Sequence, residues 1–90
     1  MDDCPQKDAR VLDELLTDGS IVLFHQISRQ LMTLNPTAAL IWDCCDGTHT
    51  PAAIATELRQ LFPDVPGVLD DVIGVLADLR EKGMLGADGQ

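Results

Sequence analysis

The chain has 90 residues, of which six are basic and fifteen acidic, giving a formal net charge of -9 and a pI near 4.2. That length makes one domain, able to bury roughly 60–65% of the surface its unfolded chain exposes, and a hydrophobic content of 46% excludes a disordered chain. The acidic balance argues against phosphate backbones and anionic membranes, both of which are held by Lys and Arg; with 3% aromatics the core must be aliphatic, and rings for base stacking are scarce.

Residues 1–10 are polar and are expected to form a frayed, flexible N-terminus, followed by a folded domain over 11–85 and a loose tail over 86–90. Val11 to Leu16 is a strand candidate interrupted by Asp13 and Glu14. Asp18-Gly19 between two apolar runs predicts a hairpin turn. Ile21 to Phe24 is a continuous apolar run, which suits a central strand buried on both faces. Gln26 to Arg29 makes the next turn. Gln30 to Leu34 alternates, with Gln30, Met32 and Leu34 on one face and Leu31 and Thr33 on the other, and forms a strand at the sheet edge.

From Asn35 the period becomes helical. Asn35-Pro36 is a cap followed by proline at the first helical position, and Gly47 stops the short helix that contains Ala38 to Trp42. Thr50-Pro51 repeats that start; Ile54, Leu58 and Leu61 then mark one face, and Pro63 ends the helix. Asp64 and Pro66 open a third helix that runs to about Lys82, with Gly83 as its stop. Its apolar stripe is wide: Val68, Val72, Val75 and Leu79 form one row, and Leu69, Ile73 and Leu76 the adjacent one. Met84 and Leu85 are expected to fold back onto the core. Strands followed by helices predict an α+β fold, a three-stranded antiparallel sheet and then a three-helix bundle.

No catalytic constellation appears: there is no GxSxG, P-loop or HExxH string, and no enzyme activity or cofactor is expected. Cys4, Cys44 and Cys45 are an odd count with an adjacent pair, so they read as free thiols. Together with His25 and His49 they lack zinc-site spacing, and no metal is expected. Trp42 follows Leu40-Ile41 in a helix that must pack under the sheet and reads as core. The acidic N-terminal stretch Met-Asp-Asp-Cys-Pro has no apolar signal region, and no segment has the length of a membrane span, so a cytoplasmic location is expected.

The order of elements and several strings resemble the PqqD family, named after the small protein of pyrroloquinoline quinone biosynthesis. They are Asp18 to Leu23; Leu34-Asn35-Pro36-Thr37-Ala38-Ala39-Leu40-Ile41-Trp42; Asp46-Gly47-Thr48; Ile54; Asp71-Val72; Leu76; Leu79; and Lys82 to Leu85. The most specific is the cap, Trp and Gly stop at fixed spacing from Leu34 to Thr48. The resemblance covers about residues 12–85. It implies a winged-helix-like fold and a RiPP recognition element, a domain that binds the leader segment of a ribosomally made precursor peptide. In that family the leader adds as a strand beside the third strand and packs on the third helix. The partner implied is a peptide-modifying enzyme, commonly a radical SAM protein. Family members often carry Gly in the turn before the third strand, where this chain has Ile27-Ser28-Arg29, and aromatics on that strand, where it has Leu31 and Met32.

Residue pattern and resemblance agree on a groove made by a strand edge beside a surplus apolar helical row, which suits an extended peptide. The expected peptide-binding residues are Arg29, Gln30, Leu31, Met32 and Thr33 on the strand, and Val68, Asp71, Val72, Val75 and Leu79 on the helix. Asp71 is positioned to meet a leader backbone group or basic side chain, whereas Asp78 reads as part of a solvated acidic face. An open edge also permits homodimers. Two rival readings are a subunit that binds a folded partner and a winged-helix nucleic-acid binder; the second is opposed by a third helix whose only cations, Arg80 and Lys82, stand at its end beside Asp70, Asp71, Asp78 and Glu81.

Overall fold

Three strands and three helices follow in the predicted order: β1 (Val11–Leu15), β2 (Ile21–His25), β3 (Leu31–Leu34), α1 (Pro36–Asp43), α2 (Pro51–Leu61) and α3 (Val68–Glu81). The computed structural model describes residues 4–86. The strands make one antiparallel sheet in the order β1-β2-β3, with Leu23 opposite Asp13 on one side and Met32 on the other. In the first turn Gly19 takes φ +92°, a left-handed value that costs glycine nothing, and the Asp18 carboxylate accepts the Ser20 N–H at 2.9 Å.

β2 is central as expected, but it is not buried on both faces. Ile21, Leu23 and His25 are buried, while Val22 and Phe24 are half-buried on the opposite side. All three helices cover one face of the sheet, so β2 keeps a period of two beneath an unbroken apolar run. The uncovered face carries two cross-strand rows, Leu12–Phe24–Leu31 and Glu14–Val22–Thr33.

Both predicted caps form. The Asn35 side chain accepts the Ala38 N–H at 2.8 Å, and the Thr50 hydroxyl accepts the Ala53 N–H at 3.1 Å; each satisfies an amide the first helical turn leaves unpaired. α1 buries Ala38, Ala39, Ile41 and Trp42, as its reading as core requires. The Trp42 indole N–H donates to Asp13 at 2.8 Å, which lets the ring sit at 1% exposure. Asp13, which breaks the apolar pattern of β1, is therefore the acceptor that joins the sheet to α1. The Lys7 ammonium lies 5.3 Å from the Trp42 ring centre on a second side.

The third helix begins later than predicted. Asp64 to Gly67 form the loop before α3, because proline at 63 and 66 keeps the preceding residues extended and Gly67 adopts a left-handed φ of +70°. Leu61 is exposed and lies off the α2 core face. At the far end Gly83 has φ +75° and the Met84 N–H donates to Leu79 at 2.9 Å. This folds Met84 and Leu85 into the core as expected. Cys45 is buried, donates its thiol to Ile41 at 3.3 Å, and is pushed up to about 12 by that burial; Cys4, Cys44 and Cys45 are all free. Among the described residues no helix is long and apolar enough to cross a membrane.

The segment read as frayed differs from expectation where it is described. Residues 1–3, like 87–90 of the expected tail, lie outside the described residues. Pro5 to Asp8 run between two other segments: Lys7 N–H donates to Cys45, Gly47 N–H to Pro5, Asp8 N–H to Met84 and Gly86 N–H to Gln6, at 2.7–3.0 Å. These are backbone bonds, so a polar stretch makes them without any apolar pattern. The Asp8 carboxylate accepts the Arg10 backbone N–H at 2.8 Å and its guanidinium at 3.0 and 2.9 Å. The Arg10 bonds hold Asp8 down at about 2 from an ordinary 3.8.

Two outcomes are expected. The stabilisation due to the Asp8 carboxylate is complete above pH 3.8 and is lost as pH falls through about 2; urea melts of wild type and Asp8→Asn should converge over that window, and parallel curves would contradict the coupling. Asp13→Ala, which leaves a buried indole N–H unpaired, should cost about 1–3 kcal/mol in urea unfolding, with Asp13→Asn less harmful.

Candidate functional site

β3 is an edge strand: within the described residues it pairs only with β2. Because the His25 N–H donates to Gln30 at 3.0 Å, alternation turns the backbone groups of Gln30, Met32 and Leu34 toward β2 and those of Leu31 and Thr33 toward the open side. Their side chains point oppositely to those of Met32 and Leu34, as the alternation predicted: Leu31 and Thr33 are exposed, Met32 half-buried and Leu34 buried. The edge thus offers two residues' worth of unpaired donors and acceptors.

The turn leading into this strand is held by a residue whose role the sequence did not reveal. His25 is buried at the end of β2, and its Nδ1 accepts the N–H groups of Ile27 and Ser28, both at 3.1 Å. Nε2 lies 3.9 Å from the Asp8 carboxylate. Arg29 follows with φ +66°, a conformation that disfavours any residue with a Cβ. This is the turn where the resembling family often has Gly, so the position demands a left-handed residue and this chain meets the demand with Arg. The Arg29 guanidinium sits 6.0 Å from the Phe24 ring centre, on the uncovered face of the sheet.

Beyond Leu34 the edge opens into a cleft of about 510 Å³, inside the roughly 300–1,000 Å³ range of ligand pockets. Asn35, Thr37, Ala38 and Ile41 of the α1 start form one wall; Leu58, Phe62 and Val65 form the second; Val68, Asp70, Asp71, Gly74, Val75 and Asp78 form the third. The floor is apolar and every charged group in the lining is a carboxylate.

The expected helix residues divide. Val72 and Leu79 are fully buried in the core and do not line the cleft, which corrects their assignment to a groove wall; Val68 is also a core residue, 5% exposed, and reaches the cleft only as floor. The reason is that the buried stripe takes Val68, Val72, Leu76 and Leu79, one member from the second row and three from the first. Neither predicted row is the groove wall as a unit. Asp71 and the half-buried Val75 do line it. Gly74, Asp78, Phe62 and Val65 also line the cleft and were not singled out for it; their signal was their place on the flank next to Asp71 and Val75, visible once the core stripe is known. Ile73, 51% exposed, faces away from it on the other flank.

Of the residues weighed as metal ligands, His25, His49 and Cys45 have other partners. His49 lies 3.1 Å from Asp46 and 2.8 Å from Glu57, and these carboxylates raise its pKa. Asp46 also accepts the Thr48 N–H and hydroxyl at 2.9 and 2.6 Å, so the Asp-Gly-Thr string is a turn that links α1 to α2. Among the described residues no group of three His, Cys, Asp or Glu is placed to hold a metal ion.

The family model for coenzyme PQQ synthesis protein D (PqqD) matches residues 20–85, which span both the β3 edge and the cleft. The chain belongs to the PqqD family. Its relatives within PqqD include the PqqA binding protein of Pseudomonas entomophila, 48% identical over 54 residues, or 60% of this chain and 56% of that protein. PqqA binding protein 2 of Pseudomonas putida is 34% identical over 55 residues, 61% of each chain. This PqqD chain therefore spans a little over half the length of the curated relatives it matches. Two solved structures share the fold, each with a TM-score of 0.79. TbiB1 in complex with the TbiA(beta) leader peptide is 21% identical, with 91% of this chain and 95% of that one covered. Lasso peptide synthetase B1 complexed with the leader peptide is 26% identical, with 93% and 99% covered. The α+β architecture predicted from the residue pattern, three antiparallel strands and then three helices, is thus the fold these two structures share.

His25→Phe keeps the ring volume and removes the acceptor for two turn amides. It should speed hydrogen exchange at Ile27 and Ser28 and along β3 while the helices keep their protection. Unchanged exchange there would show that the turn does not depend on the imidazole.

Proposed function

We propose that this chain binds the leader segment of a ribosomally made precursor peptide by strand addition at β3 and delivers it to a maturation enzyme, commonly of the radical SAM type. The observation that carries this is the open β3 edge running into an apolar-floored cleft. A peptide laid against Leu31 and Thr33 would pair its backbone with the free groups, an affinity that tolerates sequence change. Side chains entering the cleft would supply selectivity. Micromolar binding, about -8 kcal/mol, is within reach of such a contact. The names of the relatives, which bind PqqA, and the leader peptides in the two structures of like fold support the reading.

The role needs no chemistry from this chain. A protein that holds the leader and also docks on the enzyme raises the local concentration of the attached core peptide. A second surface exists for that docking: the Leu12–Phe24–Leu31 row on the uncovered sheet face, with Leu12 and Leu31 at 55% and 63% exposure. The same row favours, as a second reading, an interaction subunit that binds a folded protein only. Edge-to-edge pairing of two copies through β3 is geometrically open, but each carries -9, and like charge opposes it.

Titration of ¹⁵N-labelled protein with a synthetic PqqA peptide, the ligand named for its relatives, should move amides of residues 31–34 and of the cleft. Thr33→Pro removes an N–H that faces the open side, so it should preserve the fold and weaken binding about tenfold. Amides that stay fixed along β3, or binding indifferent to Thr33→Pro, would refute strand addition.

A further inference from the structure

α3 carries a glycine in its interior for which the chain itself shows no steric need. A Cβ built on Gly74 meets nothing within 4 Å, and its φ is not among the positive values, so neither close packing nor a left-handed backbone accounts for it. Glycine weakens a helix interior relative to alanine. Gly74 lines the cleft midway between Asp71 and Asp78, three residues after one and four before the other, so all three lie on one flank of the helix. Val75 beside it is half-buried and apolar. The missing side chain leaves a notch with an apolar base and a carboxylate on each side.

The charges around the notch have one sign. Asp70, Asp71 and Asp78 line the cleft, and no Lys, Arg or His does. None of the three side-chain carboxylates makes a hydrogen bond or ion pair within the described residues. An apolar base with an anionic rim is the complement of a side chain with a methylene stem and a cationic tip, which lays its stem on apolar surface and keeps its charge at the edge. A second copy of this chain, at net -9, is the wrong sign to fill it.

Resting on the reading of β3 as a peptide-binding edge, we propose that the notch at Gly74 is a selectivity pocket for a lysine or arginine of the bound peptide, its stem over Gly74 and Val75 and its cation between Asp71 and Asp78. The pocket selects among extended peptides by charge, a task the backbone pairing at Leu31 and Thr33 leaves undone.

The probes are short blocked peptides of alternating threonine and valine that differ at one central position: lysine, norleucine or glutamate. Binding is followed by ¹⁵N amide shifts at low and high salt. The lysine peptide should bind about three- to fivefold more tightly than the norleucine peptide at low salt and lose that margin at high salt, with the glutamate peptide weakest. The paired change Asp71→Asn and Asp78→Asn, at exposed positions, should erase the margin between the lysine and norleucine peptides. Gly74→Leu should fill the notch and weaken the lysine and norleucine peptides alike, whereas Gly74→Ala should raise helix stability and serve as the folding control. If all three peptides move the β3 amides equally, the pocket is refuted and peptide binding stands. If no peptide moves the β3 amides, both fail.

Discussion

The bond from the Trp42 indole to Asp13 decides how the two halves of this domain meet. It joins the one strand that lacks a full apolar pattern to the helix that directly follows the sheet. A small aliphatic core has no other large ring to spend, and an indole buried without an acceptor would be a net liability. With Asp13 in place, α1 is tied to β1 while it packs beside β3. The chain enters α1 directly from the end of β3, through Leu34 and the Asn35 cap. The helices then close the core from one side only. Among the described residues the edge of β3 is left without a strand partner.

That arrangement accounts for which parts of the fold were legible in the residues. The helix starts at Asn35-Pro36 and Thr50-Pro51, the turn at Asp18-Gly19 and the alternation of β3 are local signals whose physics acts within a few residues. They survive into the structure intact. The misjudged features are those whose cause is distant in sequence. Asp13 looked like an interruption, because its partner is 29 residues away. Pro5 to Asp8 looked frayed, because backbone bonds to the 45–47 and 84–86 segments leave no trace in side-chain pattern. The Ile21–Phe24 run looked doubly buried because nothing local tells one covered face from two.

The candidate site was legible to a different degree at its two ends. β3 was readable, being the last strand before a helix and alternating cleanly. On α3 the composition was readable and the direction was not: seven apolar residues at helical spacing admit several buried stripes, and the choice falls to packing against α1 and α2. The stripe that forms takes Val72 and Leu79 into the core and leaves Asp71, Gly74, Val75 and Asp78 at the cleft. His25 illustrates the same limit. A lone histidine beside apolar residues suggests a core position or a ligand, and only the fold shows that its Nδ1 serves two turn amides just ahead of β3.

The division of labour in the site follows from the strength of its parts. An exposed strand edge is indiscriminate: any extended chain pairs with it, including a second copy. Such an edge is useful to a carrier of many sequences and hazardous to a free protein. A net negative charge answers the hazard without touching the edge, since two copies approaching through β3 bring -9 against -9. On the proposed reading, the same acidity would draw in a peptide with a basic residue and repel an acidic one. On that reading a single compositional bias would both protect the edge from its own kind and sort the chains that occupy it, and the apolar base of the cleft would keep a bound segment from sliding along β3, because a slip of one residue would turn its inward side chains to the opposite face.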